Sequence, residues 1–336
     1  MAPSLLFNPA KLPPSEALQL AQQAPVVLQG SSSPSETVDQ WATFENLLLA
    51  CLRTGDDEAA AKCMDQLEAR FGPDNERVMA LRGLLSEAQA ENNGELEAVL
   101  KQYDAILEGN STNLVGHDRL RQLFPDRRFA NPPCLRLQPI TKRRIALLRS
   151  MGRVSDAATA LVQLLDFSPT DAEAWSELSD LYFTQGLYSQ AIYALEEVLL
   201  LSPNAWNIHA RLGEVQYMAA TTSGSGGGSQ QKYLAEALKR FARSIELCDD
   251  YLRGYYGLKL VTTRLLKEQA KQAKQTDDGE FTLPDPKTIE RLDELATAKL
   301  SEIVRHSTLK DRGWRGYDER EVAAARELLS QNGIER

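Results

Sequence analysis

The chain has 336 residues, of which 43% are hydrophobic and 25% charged, and its formal net charge is −9. That length and apolar content suffice for two ordinary domains or for one elongated repeat array, which has no single core to outgrow. The acidic balance argues against a nucleic-acid partner, because binding phosphates requires an excess of Lys and Arg.

Residues 1–35 are rich in Pro, Ser and Gln, and we predict an N-terminal extension there with one short helix near residues 15–24. This extension lacks the basic start and apolar run of a signal peptide. No run of about 18 apolar residues occurs in the chain, so we expect no direct membrane span.

Residues 36–268 carry a repeating helical pattern that is weak at its start. A degenerate unit numbered from Trp41 is followed by a second one around residues 78–106. In the first unit, Gly55 lies where the first helix should end, and Ala60 lies where the two helices should approach closely.

Residues 115–138 interrupt the pattern, since they have no helical period, contain three prolines and carry five Arg against two Asp. Two interpretations remain open. The segment is either an irregular surface loop or a retained intron translated in frame, because valine codons begin with GT and glutamine codons can end in AG. Both predict poor packing.

The clearest repeat unit is numbered from Ala172 and has the tetratricopeptide length. Positions 4, 7 and 11 form one stripe of a first helix, at helical spacing, and positions 20 and 24 form the facing stripe of a second. Glycine at position 15 suits a left-handed helix end, and proline at position 32 stops the second helix. These repeat-defining residues are Trp175, Leu178, Tyr182, Gly186, Ala191, Leu195 and Pro203.

The pattern recurs one repeat length earlier and one repeat length later. In the later unit Gly213 takes position 8 of the first helix, and the second helix, with Ala237 and Phe241, arrives late by the length of an insertion. The insertion is residues 221–232, and its Gly/Ser-rich start predicts a flexible loop.

The C-terminal region begins with a further unit near Leu252. Residues 269–286 resemble a linker, residues 287–306 a final helix, and residues 307–336 a partly helical tail. Terminal helices commonly cover the apolar end of a repeat array. The predicted fold is therefore an all-α tetratricopeptide-repeat superhelical solenoid with a C-terminal capping helix. We expect Trp175, Tyr182, Ala191 and Leu195 to be buried within one helix pair.

No catalytic set stands out. The three histidines lie in separate segments, and His209 takes position 4 of its unit, where a packing role is favoured over a ligand or base. The four cysteines form no C-x-x-C pair, and no nucleotide-binding or metalloprotease motif occurs. We expect no enzyme activity, metal or cofactor.

Partner binding is the remaining hypothesis. Positions 2, 5, 9 and 12 of the first helices usually line the inner surface of such an array. Phe183 and Tyr217 are the aromatic anchors expected there, and packing against the next repeat is the equally weighted alternative. The candidate partner-binding residues are Lys142, Arg149, Glu173, Asp180, Phe183, Asn207, Arg211, Glu214 and Tyr217.

A second functional class is the peptide-binding co-chaperone adaptor of the cytosol. Such tetratricopeptide proteins grip a C-terminal carboxylate with Lys, Asn and Arg at defined positions. Here Lys142 and Arg211 match, whereas Ala146 and Glu177 depart from the pattern. Glu177 would repel the ligand carboxylate by about 1 kcal/mol or more, so a carboxylate clamp is disfavoured.

Five stretches of the sequence follow one another in a characteristic order: residues 142–149, 171–182, 188–198, 233–247 and 253–258. Their order resembles the family of ER membrane protein complex subunit 2, and the resemblance covers roughly residues 40–270. It implies a cytosolic, peripheral scaffold subunit on the ER membrane that joins the cytosolic parts of membrane-spanning subunits to another soluble subunit. It further implies support for the insertion of tail-anchored and multi-pass membrane proteins.

Overall fold

The structure, a computed structural model, describes residues 14–30, 38–109, 138–222, 227–272, 284–309 and 316–331. These ranges contain fifteen α-helices and no strand. The all-α class is thus confirmed. The helices fall into two compact units, Met1–Pro169 and Thr170–Arg336.

The first unit has a core that includes Leu47, Leu67, Cys51 and Cys63, all fully buried. Its helices are α1 (Pro14–Ala21), α2 (Ala24–Gly30), α3 (Val38–Thr54), α4 (Asp57–Phe71), α5 (Glu76–Gln89), α6 (Asn93–Gly109), α7 (Gln138–Ser150) and α8 (Val154–Phe167).

A polar network joins α5, α6 and α7 of this unit. Arg143 on α7 donates from Nε to Glu87 Oε1 over 2.8 Å. Its Nη2 donates to Glu87 Oε2. The Tyr103 hydroxyl on α6 donates to the same carboxylate over 2.7 Å. A carboxylate held by two neighbouring helices fixes their register more strongly than apolar contact alone.

The second unit repeats the helix-pair arrangement, with each helix packed on the next along the chain. Its helices are α9 (Ala172–Thr184), α10 (Tyr188–Leu201), α11 (Trp206–Thr222), α12 (Gly227–Leu247), α13 (Leu252–Gln272), α14 (Pro286–Leu309) and α15 (Glu319–Gln331).

Helix ends follow from local chemistry. The Asp56 and Asp171 carboxylates accept hydrogen bonds from backbone N–H groups in the first turns of α4 and α9, both over 3.1 Å. Such caps contribute about 1 kcal/mol each. Gly186, with φ of 74°, reverses the chain after α9 in a conformation that side chains with a Cβ disfavour.

Small residues let the two helices of the α9–α10 pair approach closely. Ser179 is fully buried and donates to the Ala191 carbonyl over 3.0 Å. Ala191 and Leu195 are buried, and Tyr182 packs against them half-exposed. Trp175 is also half-buried, with its ring edge-on to Tyr193 and the ring centroids 6.0 Å apart. The expectation of burial within the pair is therefore confirmed for Ala191 and Leu195 and wrong for Trp175 and Tyr182.

Several predicted boundaries differ in the structure. The N-terminal extension contains two helices, α1 and α2, instead of one. The expected loop at residues 221–232 is shorter, since α11 continues to Thr222 and α12 already begins at Gly227. Apart from Gln138, the first residue of α7, residues 115–138 lie outside the described residues.

The helix predicted to cap the C-terminal end of the array lies inside a helix pair instead. Residues 287–306 lie in α14, which packs against α13 as the second helix of that pair. A further helix, α15, packs on both α13 and α14 and buries Val322 and Leu329. The end of the array is therefore covered by α15, within the stretch predicted as a partly helical tail.

None of the described helices combines the length and apolarity that crossing a bilayer requires.

Candidate partner-binding groove

A groove of about 640 Å³ runs across α9, α11 and α13 of the second unit. This volume lies within the range of about 300–1,000 Å³ that is usual for binding sites. The walls come mostly from the first helices of three consecutive pairs, and Phe241 adds the floor from α12. The lining residues are Ser176, Asp180, Asn207, Ile208, Ala210, Arg211, Glu214, Tyr217, Met218, Phe241, Tyr251, Arg253, Tyr256, Gly257 and Leu260.

Arg211 organises the wall between α9 and α11. Its guanidinium donates to Asp180 Oδ1 over 2.9 Å and to Glu214 Oε2 over 2.7 Å. It also lies over the Phe183 ring, 4.5 Å from the centroid. Burial acts to lower the pKa of Arg211, but Glu214 and Asp180 outweigh burial and hold that pKa above its ordinary value.

The α13 wall is built around Arg253 and two tyrosines. Arg253 donates to Glu321 Oε1 on α15 from Nη2 over 2.8 Å and from Nε over 3.0 Å. Burial raises the pKa values of Tyr251 and Tyr256, so both phenols stay neutral donors at physiological pH.

Five of the candidate binding residues come together in this groove: Asp180, Asn207, Arg211, Glu214 and Tyr217. Phe183 is not part of the lining, since it packs under Arg211 and edge-on to Tyr188, with ring centroids 5.8 Å apart. The packing alternative therefore describes Phe183 better than the anchor role does.

The other three candidates lie elsewhere. Glu173 is exposed on the first turn of α9, outside the groove lining. Lys142 and Arg149 are on α7 in the first unit. Their partner-binding role stays a prediction.

The groove also contains residues that the repeat pattern could have indicated. With Tyr255 at position 4 of the unit from Leu252, positions 2, 5 and 9 are Arg253, Tyr256 and Leu260. All three line the groove. Extending the same positional rule by one unit would have found them from the sequence.

His209 serves packing in the structure. It is 6% exposed, and its Nε2 lies 3.0 Å from the Pro203 carbonyl, to which the neutral ring donates. Nδ1 is buried without a hydrogen-bond partner among the described residues. Burial lowers the pKa of His209, and the nearby charges of Arg240 and Arg243 lower it further.

Because the pKa of His209 is lowered in the folded chain, we expect the free energy of unfolding to fall at acidic pH. Above the unfolded-state pKa of about 6.5 the ring is neutral in both states, so its packing contributes fully. As the pH falls below that value toward the folded-state pKa, the unfolded chain takes up the proton first and stability is lost. Chemical denaturation at about pH 7.5 and about pH 5 should show a larger loss for the native chain than for His209→Gln. Equal losses in the two proteins would contradict the prediction.

The described residues hold no group of three His, Cys, Asp or Glu side chains placed to bind a metal ion.

Comparison with known proteins finds a family model that matches two of the helices lining the groove. Residues 130–230, from the segment before α7 into α12, match the family model described as the EMC2 TPR-like repeat domain. ER membrane protein complex subunit 2 of Saccharomyces cerevisiae is 25% identical over 308 residues, covering 91% of this chain and 89% of its own. The chain is therefore similar to ER membrane protein complex subunit 2 over most of its length.

Two further relatives also match over most of the chain. ER membrane protein complex subunit 2-A of Xenopus laevis is 28% identical over 72% of this chain and 68% of its own. TPR repeat protein oca3 of Schizosaccharomyces pombe is 29% identical over 77% of this chain and 81% of its own. The family match includes α9 and α11, which carry two of the three walls of the groove.

Proposed function

We propose that this chain is a non-catalytic scaffold subunit of an ER membrane protein complex. It lies on the cytosolic face of the ER membrane and joins cytosolic parts of membrane-spanning subunits to another soluble subunit. In this role it supports insertion of tail-anchored and multi-pass membrane proteins. The observation that carries the proposal is the family match, whose named relatives are subunits of that complex.

The groove supports a binding role for this scaffold. It opens on a surface made by three helices, and exposed polar groups such as Asn207 and Glu214 lie beside aromatic rings. Aromatic residues next to polar rims are typical of protein-binding surfaces.

The same groove speaks against the co-chaperone alternative. A peptide carboxylate would need Arg211, but both sides of that guanidinium already contact Asp180 and Glu214. A carboxylate ligand would have to displace a carboxylate of the protein and would be repelled by both. This electrostatic arrangement disfavours a clamp for C-terminal carboxylates.

Gentle affinity purification of the tagged chain from its own cells tests the proposal. Several membrane-spanning proteins should co-purify in fixed ratio, and the chain should stay with membranes until detergent is added. A co-chaperone adaptor would instead bring soluble chaperones in loose ratio, released by competing peptide. Fractionation as a free monomer would contradict the scaffold role.

The groove itself is tested by Asn207→Arg with Glu214→Arg, which places two bulky cations on its exposed rim. We expect co-purification of at least one partner to fall about tenfold or more, because like or unmatched charges at an interface are costly. The matched control is Asn204→Arg with Glu246→Arg, which makes the same exchanges at exposed positions outside the lining. Both variants should melt within a few degrees of the native chain. Equal partner recovery from both would exclude the groove as the binding surface.

A further inference from the structure

We propose that Thr308, on the last turn of α14, is a phosphorylation site for an arginine-directed protein kinase. Arg326 of α15 holds the resulting phosphate, which fastens α15 to α14. The inference goes beyond the proposed function, since it concerns a covalent modification and does not depend on what the groove binds.

The sequence before Thr308 carries the first step. Arg305 stands three residues before it, at the position where a large class of protein kinases selects arginine. No other arginine in the sequence stands three residues before a serine or a threonine. The one lysine in that position, Lys259, precedes Thr262, which is fully buried. A kinase that reads this spacing therefore meets Thr308 as its accessible acceptor.

The end of α14 gives access to the Thr308 hydroxyl. Thr308 is exposed, and Leu309, the last residue of the helix, is 63% exposed. The last buried residue of α14 is Ile303, more than one helical turn earlier. None of residues 304–309 is buried, so little packing opposes the fraying that is common at helix ends. This turn can therefore open into the extended form in which kinases bind their substrates.

Arg326 supplies the receptor for the phosphate. Its Nη2 donates to Thr308 Oγ1 over 3.3 Å, although the two residues lie on different helices. The hydroxyl itself donates to the Val304 carbonyl over 2.8 Å. A guanidinium has five N–H donors in a planar fork, and the contact with Thr308 uses one of them. The folded chain therefore already directs a guanidinium at the oxygen that the kinase modifies.

Phosphoryl transfer changes the strength of this contact. The γ-phosphorus of ATP bonds to Thr308 Oγ1 while its bond to the β–γ bridging oxygen breaks, ADP leaves, and the hydroxyl proton passes to the catalytic base of the kinase. The product has a charge of about −2 and three strong acceptor oxygens, which form short charge-assisted hydrogen bonds with a guanidinium. A phosphate at the C-terminal end of α14 is disfavoured by the helix dipole, so stabilisation depends on Arg326.

The helix that this phosphate controls is α15. It packs on α13 and α14 and buries Leu329 at the end of the array. Its Glu321 also binds Arg253, which lines the groove. A phosphate that fastens α15 therefore stabilises both the cover over the end of the array and the carboxylate that positions Arg253.

Phosphorylation of the full chain tests the site. With calcium/calmodulin-dependent protein kinase II and ATP, mass spectrometry should locate the phosphate on Thr308. Arg305→Gln should lower the initial rate about tenfold or more, whereas Arg291→Gln, an equally exposed arginine of α14, should leave it unchanged. Chain purified from its own cells with phosphatase inhibitors should carry the same modification. Faster modification of another residue, an unchanged rate for Arg305→Gln, or an unmodified Thr308 in cells would overturn the assignment.

Hydrogen exchange tests the role of Arg326. Exchange of the α15 amides should slow about fivefold when Thr308 is phosphorylated, because the phosphate adds contacts between α14 and α15. In Arg326→Gln the phosphate should give no slowing, whereas the matched variant Arg320→Gln, exposed on the same helix, should keep it. Each variant is compared with and without phosphate, so any loosening caused by the substitution cancels. Unchanged exchange in the native chain, or equal slowing in Arg326→Gln, would show that Arg326 is not the receptor.

Discussion

Replacing Lys259 with alanine is expected to lower the free energy of unfolding by about 3 kcal/mol. The residue is 3% exposed within α13, and its Nζ lies 2.7 Å from Asp293 Oδ2 on α14. The other oxygen of Asp293 accepts from the Thr262 hydroxyl over 2.8 Å. Removing the cation leaves a largely buried carboxylate without its counter-charge, which is the costly way to break such a pair.

A double-mutant cycle separates this charge effect from simple loss of packing. Lys259→Met keeps the side-chain volume, and adding Asp293→Asn removes the stranded charge while keeping an oxygen for Thr262. The double variant should recover more than half of the stability lost by Lys259→Met alone in urea unfolding.

The control for an exposed pair is Lys62→Ala, whose partner Glu58 is 83% exposed. Its effect on the free energy of unfolding should be much smaller than that of Lys259→Ala, because an exposed ion pair is screened by solvent. If Lys259→Ala were equally mild, the pair would contribute nothing to holding α14 on α13.

The ion pair between Lys259 and Asp293 cannot be predicted from the sequence. The apolar pattern of α13 predicts its helix, but a lysine in that pattern is expected on a solvated face. Its burial depends on α14, which follows only after residues 273–283, outside the described residues. Periodicity reports which face of a helix is buried, and carries no information on which distant carboxylate meets a buried cation.

The residues that line the groove are easier to predict from the sequence than the ion pairs and ring contacts between them. A fixed repeat places positions 2, 5, 9 and 12 of each first helix on one surface, so counting along the repeat selects Asp180, Asn207 and Tyr217. The same arithmetic selected Phe183, which instead packs under Arg211. The difference arises because a stacked guanidinium can cover an aromatic ring, a contact between helices that spacing within one helix cannot predict.

The predicted start of α12 is wrong for a different reason, namely helix propensity. Gly227 and its glycine neighbours have poor intrinsic helix propensity, which led to a predicted loop up to residue 232. The helix nevertheless begins at Gly227 and packs closely on α11. Gln230 on its first turns donates to Glu268 on α13 over 3.0 Å. Tertiary contacts of this kind override local propensity, which is a weak prior.

The second large effect is expected for Gly257→Ala. A Cβ at this position on α13 would lie 2.1 Å from Phe241 Cε1 and 2.2 Å from Cζ, so the ring or the helix must move. Alanine is the better helix former by about 1 kcal/mol, yet overpacking a core typically costs about 1–3 kcal/mol, and this overlap lies at the severe end. We expect a net loss of about 2 kcal/mol in the free energy of unfolding, measured by urea unfolding.

Gly213 supplies the matched comparison, because its added Cβ would lie 3.0 Å from the opposite edge of the same Phe241 ring. That contact needs a shift of only a few tenths of an ångström, so Gly213→Ala should be clearly milder than Gly257→Ala. Phe241→Leu should be destabilising in the native chain, since it leaves a cavity, but should restore part of the stability of Gly257→Ala by removing the clashing ring atoms. Because Gly257 and Phe241 both line the groove, the rescued variant also tests whether partner binding requires the aromatic ring of Phe241. If Gly257→Ala were neutral, or if Phe241→Leu made it worse by the full amount seen alone, the close approach of α13 to α12 at this ring would be refuted.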